Sequence, residues 1–246
     1  MKLRQHIPNI ITALNLLSGC MAIVMAFEYQ FNAAILFLIA GALFDFMDGM
    51  AARALNVYSD IGKELDSLAD IISFGAAPAF IIHNYYRELS GADNFSTHFA
   101  KGETEILIML LLPFLIAVMS GFRLAKFNVD PRQNDHFIGL PTPANALFFV
   151  SLIWLSSRYE FINDILFSPP WLMAILILVF SFLLVAEFPM FSLKFKNLRA
   201  RHNEIRYIFI GISAILLISL QLKAIPVIIV VYILLSMINN RIARKV

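Results

Sequence analysis

Apolar residues fill long blocks of this chain at 10–27, 31–52, 65–86, 106–122, 143–157, 171–188 and 205–238, with short polar clusters between them. A helix crossing a bilayer core of about 30 Å needs about 20 such residues, with about 17–25 the working range. Most blocks fit one crossing each. The block at 143–157 is short but bounded by clear breaks. The last, of 34 residues, would make a straight helix about 51 Å long, far more than the hydrocarbon needs. Gln221, Lys223 and Pro226 interrupt it, which predicts two shorter helices. The expectation is an all-α polytopic membrane protein with eight transmembrane helices.

Composition supports that class. Hydrophobic residues make up 60% of the chain and charged residues 15%, with a mean hydropathy of +0.77 and 23 Phe. A soluble domain has no interior large enough for that load. The single cysteine, Cys20, excludes a disulfide framework and a four-thiolate zinc site. Net charge is only +2, so nucleic acid is not an expected partner.

The placement of charge is more informative than its sum. Lys and Arg accumulate on the cytoplasmic side of membrane proteins. With eight spans and a cytoplasmic N-terminus, inside segments hold 15 basic residues: Lys2, Arg4, Arg53, Lys63, Arg123, Lys126, Arg132, Lys194, Lys196, Arg199, Arg201, Arg206, Arg241, Arg244 and Lys245. Outside segments hold four: Arg87, Lys101, Arg158 and Lys223. Fusing the last two spans would put Arg241 to Lys245 outside and spoil the pattern. Both termini are therefore expected in the cytoplasm. Leu17-Ser18-Gly19-Cys20 resembles a lipoprotein cleavage site. Asn9, Thr12 and Asn15 interrupt the run before it, however, so the segment is read as a span with Cys20 as a small packing residue.

Ionisable residues inside membrane helices are functional candidates by default. Asp45 and Asp48 close the second block, and Asp66 and Asp70 open the third. The first pair is spaced i, i+3 and the second i, i+4, so each shares a helix face. A short loop makes the two helices antiparallel neighbours, and the faces can meet. Four converging carboxylates repel unless a cation joins them. Oxygen-only ligands suit Mg²⁺ or Mn²⁺, and four carboxylates can hold two such ions as a clamp on a phosphoryl group. The structural alternative is a set of capping residues salt-bridged by Arg53 and Lys63. Gly49, Ala52 and Gly62 leave room for a nucleotide diphosphate between the helices, although small residues also serve plain helix packing.

The spacing Asp-x2-Asp-Gly-x2-Ala-Arg-x8-Gly-x3-Asp-x3-Asp resembles the motif of the CDP-alcohol phosphotransferases. All eight fixed positions are present: Asp45, Asp48, Gly49, Ala52, Arg53, Gly62, Asp66 and Asp70. Blocks at 7–15, 62–78, 123–128, 139–144 and 188–194 are most similar to the membrane-embedded branch that uses serine. Lys126 and Glu187 stand where that resemblance leads one to expect arginine.

The resemblance implies a six-helix catalytic core with two further C-terminal helices at about 205–238, in one domain spanning 1–246, paired with a second copy in a homodimer. It implies Mg²⁺- or Mn²⁺-dependent attack of L-serine on CDP-diacylglycerol, giving phosphatidylserine and CMP in the membrane of a prokaryotic cell. Asp45, Asp48, Asp66 and Asp70 are then metal ligands, with Asp70 also the base for the serine hydroxyl. Asn9, Thr12, Asn15, Gly49, Ala52, Arg53 and Gly62 are the candidates for binding CDP-diacylglycerol. Arg123, Lys126 and Thr142 are the candidates for serine, and Thr142 before Pro143 also reads as a helix N-cap. The basic run from Lys194 to Arg206 suits anionic membrane lipids. Two other readings stay open here: a sister enzyme using glycerol 3-phosphate or inositol, and a cation transporter with a carboxylate site.

Overall fold

The computed structural model describes residues 6–57, 59–91, 95–130, 137–168, 171–191 and 203–243. Lys2, Arg4, Arg132, Lys194, Lys196, Arg199, Arg201, Arg244 and Lys245 lie outside these ranges. The described chain is helical apart from one pairing of two-residue strands.

Helices α1 (His6–Phe27) and α2 (Phe31–Leu55) form a tight hairpin and the most extensive helix pair in the fold. Helix α2 ends at Asn56, which adopts the left-handed conformation (φ 51°, ψ 45°) and returns its N–H to the last carbonyls. Helix α3 (Asp60–Asp70) starts at once, capped by Ser59 Oγ, which accepts from Gly62 N at 3.0 Å. That turn chemistry ends one helix and starts the next within four residues, and both helices pack on α1. A π-helical turn (Ile71–Ala76) then leads into α4 (Ala77–Ser90). Short α5 (Phe95–Lys101) precedes α6 (Thr104–Leu111) and α7 (Phe114–Val129), which are parted at Pro113, where no N–H is available to continue the ladder.

Strand β1 (Phe137–Ile138) leads to α8 (Thr142–Ser156), α9 (Glu160–Phe167) and α10 (Trp171–Val185). Strand β2 (Pro189–Met190) returns antiparallel to β1, with Phe137 opposite Met190 and Ile138 opposite Pro189. The chain closes with α11 (Glu204–Leu220), a 3-10 turn at 221–223 and α12 (Ala224–Ala243). Thr142 is the first residue of α8 rather than its cap; Pro141 holds the cap position, and the Thr142 hydroxyl is turned to Arg123 instead.

Five helices are long and apolar enough to cross a membrane among the described residues: His6–Phe27, Phe31–Leu55, Asp60–Ser90, Thr104–Val129 and Glu204–Asn240. Counting α9 and α10 together adds a sixth, and α8 is a shorter apolar helix. The final segment does not run straight. Gln221 has φ 54° and ψ −134°, and Phe209 meets Tyr232 with ring centroids 5.6 Å apart. Twenty-three residues of continuous helix would separate those rings by about 35 Å. Helices α11 and α12 are therefore a hairpin.

Large apolar side chains crowd the outer surface, among them Ile218 at 83% exposure and Phe182 at 68%, as a lipid-facing shell requires. Cys20 belongs to that exposed surface and is not a packing residue of the core. Inside, lipid supplies no hydrophobic drive between helices, so close approach and hydrogen bonds take over. Gly19 meets the π-helix directly: a Cβ there would collide with the Ser73 hydroxyl and lie 2.7 Å from Ser73 Cα. The Ser73 hydroxyl donates to the Asn15 carbonyl at 2.9 Å. Gly19→Ala should therefore part α1 from the π-helix and destabilise the protein by about 1–3 kcal/mol. Thermal unfolding of the detergent-solubilised protein checks this against Gly211→Ala, whose added methyl meets nothing within 4 Å and which should leave the midpoint unchanged or slightly raised.

Candidate active site

The end of α2 and the start of α3, both packed on α1, bring the sequence-predicted carboxylates together. One carboxylate oxygen from each of Asp45, Asp48 and Asp66 lies within 4.8 Å of the others. Asp70 stands one turn further along, only 8% exposed, outside that group of three. Asn15 Nδ2 points at Asp70 Oδ1 from 3.5 Å, and the Thr12 hydroxyl donates to Asp48 Oδ2 at 2.7 Å. Helix α1 thus presents Thr12 to one aspartate and Asn15 to another.

Charges this close repel by about 3 kcal/mol per pair even at an effective dielectric of about 20. Among the described residues no Lys or Arg forms an ion pair with the four aspartates. Lys63 Nζ donates to the Asn128 carbonyl at 3.0 Å. Arg53 is exposed and lies over Gly49, where an added Cβ would sit 3.5 Å from its guanidinium. The salt-bridged capping alternative is not what the structure contains. Asp66 Oδ1 is buried without a hydrogen-bond partner, the state of an oxygen that ligates a cation. No His or Cys joins the group, and oxygen-only donors fit a hard divalent ion.

A cavity of about 460 Å³ opens beside this cluster. Its walls include Asn9 and Thr12 from α1, Gly49 and Ala52 from α2, and Gly62 from α3, next to Asp48 and Asp66. At Gly62 an added Cβ would lie 2.9 Å from both Asn9 Oδ1 and Ser59 Oγ. Any side chain there would press on two other residues of the cavity wall. Asn15 and Arg53, also candidates by sequence, do not line the cavity. Ser59, Asp60 and Lys63 do, and the sequence reading missed them as wall residues. The Ser59 cap ahead of Gly62 was the one available signal.

On the other side of the aspartates, Arg123 is 6% exposed and within electrostatic range of both Asp70 and Asp45. Its Nη1 lies 3.5 Å from Thr142 Oγ1, so these two serine candidates come together. Lys126 does not join them: it reaches the surface and pairs with Glu187 at 3.5 Å. The two positions that depart from the expected arginines are thus partners of each other. Asn128 anchors the end of α7 to α3, its Nδ2 donating to Ser67 Oγ at 2.9 Å.

Fold and site together define a helical membrane protein with a hard-cation type of carboxylate cluster beside a polar cavity. A family model described as CDP-alcohol phosphatidyltransferase matches residues 5–183. The chain belongs to that family. The match runs from α1 to α10 and stops before the α11–α12 hairpin.

Several curated relatives share one name. The chain is 34% identical over 158 residues to a CDP-diacylglycerol–serine O-phosphatidyltransferase of Helicobacter pylori, covering 63% of this chain and 60% of that relative. It is 33% identical over 189 residues to the Bacillus subtilis protein of the same name, covering 76% of this chain and 92% of the relative. A third, from Methanocaldococcus jannaschii, is 34% identical over 160 residues, covering 65% of this chain and 66% of the relative.

Asp66→Asn removes one charge from the cluster while keeping its shape. It should weaken binding of Mn²⁺ to the purified protein by at least about tenfold, since even outer-shell partners of a metal are worth about 10–100-fold. Titration calorimetry in detergent measures this without any turnover.

Proposed function

We propose that this protein transfers the phosphatidyl group of CDP-diacylglycerol to the hydroxyl of L-serine, giving phosphatidylserine and CMP. The observation that carries the reading is the convergence of Asp45, Asp48 and Asp66 on the edge of a cavity, with Asp70 one turn beyond. The shared name of the relatives supports serine as the acceptor.

Asp45, Asp48, Asp66 and Asp70 are the residues that would hold Mg²⁺ or Mn²⁺, two ions in all, and bound there they would neutralise the pyrophosphate and the departing CMP. Asn9, Thr12, Gly49, Ala52 and Gly62 bind the CDP moiety in the cavity, and Arg53 takes a phosphate oxygen at its mouth. Asn15 acts from beneath by orienting Asp70. Arg123 and Thr142 bind serine, while Lys126, paired with Glu187 at the surface, stands apart from them. Asp70 accepts the proton of the serine hydroxyl. The serine oxygen bonds to the lipid-side phosphorus as the bond from that phosphorus to the CMP oxygen breaks.

The membrane arrangement is read as one domain over 1–246 with eight spans: α1, α2, α3–α4, α6–α7, α8, α10, α11 and α12. The α11–α12 hairpin supports the eighth. Arg53, Lys63, Arg123, Lys126 and Arg206 fall at the aspartate end of this arrangement, against Arg87, Lys101, Arg158 and Lys223 at the other. That split supports cytoplasmic termini and a cytoplasmic site, where the soluble substrate and CMP are. Bacterial and archaeal relatives support a prokaryotic cell membrane, and the family resemblance supports a homodimer.

Release of CMP from CDP-diacylglycerol should require serine, and neither glycerol 3-phosphate nor inositol should replace it. Excess EDTA should abolish release, and Mg²⁺ or Mn²⁺ should restore it. Faster release with either other acceptor would make this a sister enzyme. Full activity in EDTA would remove the metal-assisted reading.

Asp70→Asn keeps size and one acceptor oxygen but loses basicity. Turnover at saturating metal and serine should fall by about 10²–10⁴-fold, the usual worth of a general base, while CDP-diacylglycerol still binds. Near-normal turnover would assign the proton to another group.

A further inference from the structure

The side chain of Asn145 is fully buried, at 0% exposure, and neither its Nδ2 nor its Oδ1 has a hydrogen-bond partner. An unmatched buried polar group costs about 1–3 kcal/mol, and native proteins keep few of them. Two more such atoms bear on the same region: Arg123 Nε and Ser120 Oγ on α7 are also buried without partners.

Their placement is not scattered. Ser120 and Arg123 are spaced i, i+3 on α7, and Thr142 and Asn145 are spaced i, i+3 on α8, so each pair shares a helix face. The two helices meet where Arg123 Nη1 approaches Thr142 Oγ1 at 3.5 Å. Both helices pack on the π-helix that follows Asp70. Ser120 Cβ would lie only 3.1 Å from a side chain at Gly75 within that turn. Arg123 ties the group to Asp70, which is within its electrostatic range, and none of its members lines the cavity at Asp48 and Asp66.

A polar cluster with a purely structural task closes its hydrogen bonds internally. This one leaves open the Nε–H of a cation, which can only donate, and an amide that can both donate and accept. That combination fits a ligand bearing an anionic and a cationic group on one small frame. Resting on the serine reading above, we infer that Asn145 recognises the ammonium group of the acceptor through its amide oxygen, while the open Nε–H of Arg123 takes the carboxylate. The hydroxymethyl arm is then free to face Asp70. Inositol and glycerol 3-phosphate have no cation to place on that oxygen.

The test uses the full-length enzyme at saturating CDP-diacylglycerol and metal. Asn145→Leu keeps the volume and removes both polar atoms. The KM for serine should rise by about ten- to a hundredfold, the worth of one hydrogen bond to a charged group, with the KM for CDP-diacylglycerol within about twofold of the parent. Inhibition by 3-hydroxypropionate, which has the hydroxyl and carboxylate but no ammonium, should be unchanged by the variant. Asn145→Asp keeps an acceptor oxygen and should recover most of the serine affinity; Asn145→Ala is read alongside should the leucine variant not fold. An unchanged serine KM overturns the inference, as does an equal loss for serine and 3-hydroxypropionate. Wild-type enzyme that releases no CMP with serine overturns the serine reading itself and this inference with it, and is seen before any variant is made.

Discussion

Mutual repulsion among carboxylates at the membrane edge is the constraint on which this architecture depends. Three oxygens within 4.8 Å cannot all stay ionised without positive charge between them, and among the described residues no Lys or Arg forms an ion pair with them. The fold must therefore hold the aspartates rigidly while leaving the space between them to something else. It does so through α1, which supplies Thr12 to Asp48 and Asn15 to Asp70. Neutral hydroxyl and amide groups fix the direction of a carboxylate without cancelling its charge, as an ammonium would.

That use of α1 explains its composition. Thr12, Asn15 and Ser18 are buried, an unfavourable choice for a membrane helix unless each finds a partner. The partners are reached because small residues bring the backbones close. Gly19 admits Ser73, and at Gly41 an added Cβ would lie 3.1 Å from Asn15 Oδ1. The widened turn at Ile71–Ala76 follows Asp70 directly, a common position for π-turns at functional sites. Site geometry and helix packing are thus one set of contacts, read from two ends.

The aspartate pairs were legible in the sequence because two things are visible in a single chain: helical spacing, and the rarity of charge in an apolar block. The hairpin at Gln221 was legible for a simpler reason, since the block was too long for one crossing. The π-turn was not, because its residues read as ordinary apolar helix. Its widening accompanies contacts with Gly19 and Asn15, more than 50 residues away in sequence. Asn15 shares the spacing of Asn9 and Thr12 along α1, and spacing alone does not say whether a side chain faces a cavity or another residue. Lys126 and Glu187 looked like two separate departures from the expected pattern. They become one observation, an ion pair between α7 and the segment after α10, only when the chain is folded.

The hairpin beyond the family match is also tied to the site, through backbone rather than through chemistry. Tyr232 of α12 donates its hydroxyl to the Phe191 carbonyl at 2.9 Å, and Asn240 Nδ2 donates to the Pro189 carbonyl at 2.5 Å. Those carbonyls belong to the segment that pairs with Phe137 and Ile138. Gly139, at φ 78°, turns that strand toward α8; its N–H bonds Phe188 O at 3.1 Å, and Leu140 N bonds Leu183 O at 2.9 Å. Two residues later the chain reaches Thr142 and its contact with Arg123. The positive φ and the close approach of the Leu184 carbonyl both demand glycine at this corner. A pair of helices with no motif of its own therefore fixes where α8 begins, and with it the side of the site that faces Arg123. Apolar helices of this kind carry no functional signature in their own sequence, because what they contribute is the position of residues elsewhere.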